Sequence, residues 1–95
     1  MNTSKFLPGQ LVISKAGRDH GKYFVVISVI DENYVYLVDG DLRKIENPKK
    51  KKVKHLLWTD QTSQFIYEKI KKQEKITNSM VRREIAKLNL EKELS

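Results

Sequence analysis

The sequence predicts a mainly β protein: a small closed barrel followed by a C-terminal helical segment. Three observations carry that expectation. Residues 9–60 hold short apolar runs rich in Val, Ile and Tyr, each separated from the next by a turn. Beyond Thr59 the apolar residues change to helical spacing. The chain of 95 residues, 39% of them hydrophobic, has room for one small core.

The first strand follows Gly9 and uses Leu11, Val12 and Ile13, ending at a turn over residues 15–21. Residues 23–30 are almost wholly apolar, the pattern of a central strand covered on both faces. Asp31, Glu32 and Asn33 make a polar turn, and residues 34–38 (YVYLV) are again β-prone. Asp39-Gly40-Asp41 is a hairpin signal, with residues 42–45 as the expected return strand. Pro48 and four lysines interrupt, and residues 53–58 read as the last strand, with Trp58 in the core.

In residues 61–75, Phe65, Ile66 and Ile70 lie near helical spacing. A second helix is expected after Thr77 as N-cap, with Ile76 and Val81 placed for a hydrophobic staple. Val81, Ile85 and Leu88 form one stripe, expected to dock on the barrel or on a partner, and residues 90–95 are expected to fray. The division expected is 1–60 for the barrel and 61–95 for the extension.

Charge points to a polyanionic partner. Nineteen Lys and Arg stand against 12 Asp and Glu, a formal +7. Residues 1–60 hold 11 basic and 7 acidic side chains; within 43–54, seven basic residues face one acid, Glu46. With no cysteine there is neither a disulfide framework nor a thiolate zinc site, and His20 and His55 lack metal-ligand spacing. No apolar run approaches the ~20 residues of a membrane span, and the N-terminus lacks a signal-peptide pattern. A cytoplasmic protein with no membrane partner is the expectation. No catalytic constellation is suggested by spacing, and Gly17 and Gly21 lack the strand–loop–helix setting of nucleotide-binding loops. The expectation is therefore no enzyme and no cofactor.

Two features concern binding. In the loop KAGRDHGKY, Gly17 and Gly21 permit a close backbone approach, flanked by Lys15, Arg18, His20, Lys22 and Tyr23. Spacing alone fits a solvated hairpin tip equally well. The second feature is Lys49, Lys50, Lys51 and Lys52 beside Arg43, Lys44 and Lys54, read as an electrostatic footprint on nucleic acid. A solvated loop or a charged guard beside a strand is the plainer alternative. Tyr23, Tyr34, Tyr36 and Trp58 have the chemistry to stack on unpaired bases, although most are expected in the core.

The segment GQLVISKAGRDHGKYFVVISVID resembles the KOW motif: a strand, a basic loop closed by a glycine (here Gly21), then an apolar strand. Together with Val38-Asp39-Gly40 and the basic stretch ending Val53-Lys54-His55-Leu56, roughly residues 6–60 are similar to the archaeal and eukaryotic large-subunit ribosomal protein family fourteen. The lysine run and the short 61–95 region make the chain look more like the stand-alone bacterial KOW-domain RNA-binding proteins. The resemblance implies an SH3-like barrel that binds RNA, especially ribosomal RNA of the large subunit, through its KOW loop and neighbouring basic strands. It also implies an alternative, a protein-interaction module of the transcription or translation machinery using the helical tail.

Overall fold

Apolar residues at nearly every position of three strands require cover on both sheet faces, and the computed structural model, which describes residues 6–94, supplies it. The strands β1 (Gln10–Ser14), β2 (Tyr23–Val29), β3 (Tyr34–Val38), β4 (Lys49–Lys52) and β5 (Leu56–Thr62) form one antiparallel sheet in the order β4-β3-β2-β1-β5. Two helices follow, α1 (Gln64–Lys71) and α2 (Asn78–Leu94).

Register sorts the side chains into two cores. Val12 pairs with Phe24 and Val26 with Leu37; with Val35, Phe6 and Leu56 they fill the first. Leu11 pairs with Val25 and Val25 with Val38; these meet Ile66, Val81 and Leu88 of the helices in the second. The Val81/Ile85/Leu88 stripe therefore docks on the sheet. Among the described residues no ladder joins β4 to β5, so in its strand pairing the expected closed barrel is an open sheet. The gap is spanned by a 3-10 turn, Val53–His55, whose His55 carbonyl accepts from Lys15 N at 2.8 Å.

Several boundaries differ from expectation. Residues 42–45 form no strand: Asp39 Oδ1 accepts from Asp41 N (2.9 Å) and Arg43 N (2.8 Å), which winds the chain into a wider loop. The return strand is the lysine run itself. Val53 N still donates to Asn33 O (2.8 Å), one step past the β3–β4 ladder; residues 53–55 then wind into the 3-10 turn, and β5 continues to Thr62, across the 60/61 division. Within the segment expected to fray, α2 is helical to Leu94, and Ser95 lies outside the described residues.

The helices are capped and clipped. Ser63 Oγ accepts from Ile66 N at 3.1 Å and donates to the buried Glu84 at 2.7 Å, while Thr77 Oγ1 accepts from Met80 N at 3.2 Å, as its expected cap role requires. Asn78 accepts from Ile45 N (2.8 Å) and donates to Glu46 (2.9 Å), and Arg82 donates to the Gly40 carbonyl. The Asn78 bond is the first cause holding the Glu46 carboxyl below its usual range; its own backbone N–H, Lys44 and Lys75 act the same way. Among the described residues, no helix is long and apolar enough to cross a membrane.

Gly40 sits under this clip with φ +80, and a Cβ there would lie 2.4 Å from Asn78 O. Gly40→Ala is expected to cost about 2 kcal/mol or more, combining roughly 1–2 kcal/mol of left-handed strain with the clash. Urea unfolding of that variant beside Gly21→Ala, where a Cβ meets nothing within 4 Å, separates the two contributions.

Candidate nucleic-acid interface

The loop between β1 and β2 is shaped by its own backbone. Gly21 N donates to Ser14 O (2.8 Å) and Lys22 N to Asp19 O (2.9 Å), around a 3-10 turn at Gly17–Asp19. Gly17 and Gly21 both have positive φ, +77 and +84. The space beside Gly21 is open, so glycine is needed there for conformation, and the backbone is left accessible. Lys15, Arg18, His20 and Lys22 are exposed around it; Tyr23 is half-buried against the helix-side core.

One loop residue has the opposite role. Asp19 is buried and accepts from Arg43 Nη2 at 2.9 Å and Nε at 3.3 Å. Arg43, expected as a phosphate contact, thus holds the β1–β2 loop to the 39–46 loop. The signal present in the sequence is the single acid inside a basic loop; its partner, 24 positions away, does not follow from spacing. Arg18, Lys22 and Arg43, together with Asp19 and Leu42, line a depression of about 300 Å³.

The lysine run is half-buried at Lys49 and Lys51 and exposed at Lys50 and Lys52, the alternation of a strand. Lys51 Nζ donates to Ala16 O at 3.1 Å, so this lysine is also engaged within the protein. Lys50 Nζ lies 4.7 Å from the Tyr34 ring centroid. Lys15, Lys51, Lys52 and Lys54 lie within electrostatic reach of His55. Its half-buried ring first, and then the charges of Lys54, Lys51, Lys52 and Lys15, hold its imidazole below the ordinary range. Two basic sectors result: one around His55, the other around the Asp19–Arg43 pair. Lys44 is exposed and belongs to neither; its charge acts on Glu46.

The aromatic residues also depart from expectation. Trp58 is 55% exposed, because it stands on the edge strand beyond the cover of the first core. Tyr36 is exposed and Tyr34 half-buried, since α1 and α2 cover the sheet at Val38 but not at these two positions.

No protein-family model matches the chain, and no curated protein matches it.

Loss of the buried carboxylate charge is expected to loosen the loop. Asp19→Asn should lower stability by about 1–3 kcal/mol, the range for a weakened charged hydrogen bond in a buried setting. Arg18→Ala, at an exposed position, should stay within about 0.5 kcal/mol of the parent. Equal urea midpoints for Asp19→Asn and the parent would refute the structural role of this pair.

Proposed function

We propose that this chain is a non-catalytic RNA-binding protein, cytoplasmic and ribosome-associated, that grips the phosphates of structured ribosomal RNA. The observation that carries this reading is the open, glycine-shaped loop of residues 15–22, held beside the lysine strand by Lys51 Nζ on Ala16 O and beside His55 by the Lys15 N bond. Accessible backbone and cationic side chains on a fixed scaffold suit a polyanion whose charges repeat along a chain. The curled sheet is read as an SH3-like barrel of KOW type. Its strand order and the 3-10 turn leading into β5 support that reading, as does the resemblance of residues 6–60.

In this proposal Lys15, Arg18, Lys22, Lys50, Lys52 and Lys54 are the phosphate contacts, because their side chains are exposed. Arg43 and Lys51 support them from within the structure.

Filter binding to ribosomal RNA across a salt series tests the loop. The double variant Arg18→Ala/Lys22→Ala should bind at least about tenfold more weakly in moderate salt, with an unchanged urea midpoint. Its log–log salt slope should be smaller by roughly 0.7–0.9 for each phosphate no longer neutralised. Parent-like binding by this variant would remove the loop from the proposal.

His55 supplies a pH signature. In the free protein its pKa lies below that of the unfolded chain, so the folded chain binds fewer protons and stability falls as pH drops below about 6.5. Phosphates placed among the same lysines favour the charged ring, so RNA affinity should rise over that pH interval. His55→Gln should flatten the rise, and NMR titration of the ring should show its pKa increase on RNA binding.

A further inference from the structure

An open cavity of about 500 Å³ lies where the β2–β3 turn meets the end of β4, lined by Glu32, Asn33, Tyr34, Lys52, Val53 and Lys54. We infer that it receives one unpaired nucleobase of a bound RNA, guanine by preference, with Tyr34 as its stacking wall. The inference rests on the RNA-binding reading of the neighbouring basic surface, and it adds base recognition to what would otherwise be phosphate contact alone.

The rim is fixed before any ligand arrives. Asp31 Oδ1 accepts from Asn33 N (2.7 Å) and Tyr34 N (2.9 Å), and Ile30 N donates to Tyr34 O (3.0 Å). Asn33 O accepts from Val53 N at 2.8 Å, tying the turn to the segment that follows β4. A concave site with this much backbone pinned loses little entropy when it is filled.

The lining divides by chemistry in the way a nucleotide does. The Tyr34 ring and the Val53 side chain offer apolar surface for the flat face of a base. Lys52 and Lys54, both exposed, line the cavity and supply cations for the flanking phosphates. Lys50 already places its ammonium 4.7 Å from the Tyr34 centroid, so a cation accompanies the ring.

Glu32 decides between a plain phosphate surface and a base site. A carboxylate among lysines repels phosphate and would weaken a surface that only holds the backbone. Facing a base edge, it accepts hydrogen bonds, and guanine presents two donors side by side, N1–H and the N2 amine. The Asn33 side chain, with both a donor and an acceptor, can complete the contact. A paired base cannot enter, so the ligand is a single-stranded loop, bulge or end.

The test is titration of the ¹⁵N-labelled full chain with penta-uridylate and with the same oligomer carrying guanosine at its centre. A structured ribosomal RNA fragment is run in parallel. The guanosine oligomer should bind about tenfold tighter than penta-uridylate and shift the amides of Glu32, Asn33, Tyr34 and Val53. Tyr34→Leu, which keeps apolar bulk, should weaken it about tenfold. Glu32→Gln, at an exposed position, should narrow or erase the preference for guanosine, and by removing a carboxylate from among the lysines it should strengthen penta-uridylate binding. If the two oligomers bind alike and Glu32→Gln affects both equally while the structured RNA still binds, the base site is refuted and the phosphate reading stands. If neither the oligomers nor the structured RNA bind, both readings fall together.

Discussion

Phe24, Val25 and Val26 follow one another along β2, and none of them touches solvent. Because successive strand residues point to opposite faces, such a run is stable only where both faces of the sheet are covered. The first face is closed by the curl of the sheet around Phe6, Leu37 and Leu56. The second is closed by Ile66, Val81 and Leu88 from the helices. Burying a large apolar side chain contributes about 1.5–3 kcal/mol, against about 0.5–1.5 kcal/mol for a net hydrogen bond. Apolar burial therefore holds the helices on the sheet, and the Asn78 and Arg82 bonds fix where along the sheet they sit. The helices supply the second wall of a core that β1–β3 cannot complete alone.

With the central strands closed on both sides, the surface left for recognition consists of loops, sheet edges and the uncovered part of β3 and β4. Lys15, Arg18, Lys22 and the lysine strand lie there. Four consecutive lysines are poor strand formers by composition, yet β4 pairs with Tyr34–Val38 through a regular register from Tyr34–Lys52 to Leu37–Lys49. Placing lysines on a paired strand fixes their backbone, so less conformational entropy remains to be lost when they meet an anion than on a free loop. The same charges discourage an edge strand from pairing with another copy of itself. One feature thus answers a folding hazard and furnishes a binding surface.

The parts of the fold legible in the sequence are those dictated by local pattern. β1, β2 and β3 follow from apolar runs bounded by Gly and Asp, and the Thr77 cap and the Val81 stripe follow from helical spacing. What local pattern does not reveal depends on pairing across distance. Residues 49–52 become a strand because β3 offers them a ladder, against their own propensity. Residues 42–45 lose theirs to the Asp39 side chain. Size alone places Trp58 in the core, but the first core is already closed by Phe6 and Leu56 and leaves no room on the edge strand. The candidate site shows the same division. Exposure of Lys15, Arg18 and Lys22 is readable from the loop. Arg43 and Lys51 look like contacts in the sequence only because their internal partners, Asp19 and the Ala16 carbonyl, are remote along the chain.

Those two diverted cations bear on how the loop acts. Asp19 is drawn to Arg43 on one side, Ala16 O to Lys51 on the other, and Lys15 N is bonded to His55 O at the base. A glycine-containing loop has much backbone freedom to lose on binding, and three attachments on separate elements remove most of that loss in advance. Charge used inside the protein in this way makes the charge remaining at the tip more effective, since Arg18 and Lys22 then project from a fixed backbone. Counting positive residues therefore misstates such a surface twice: it includes cations that face inward, and it omits the acid, Asp19, that sets the geometry of the others.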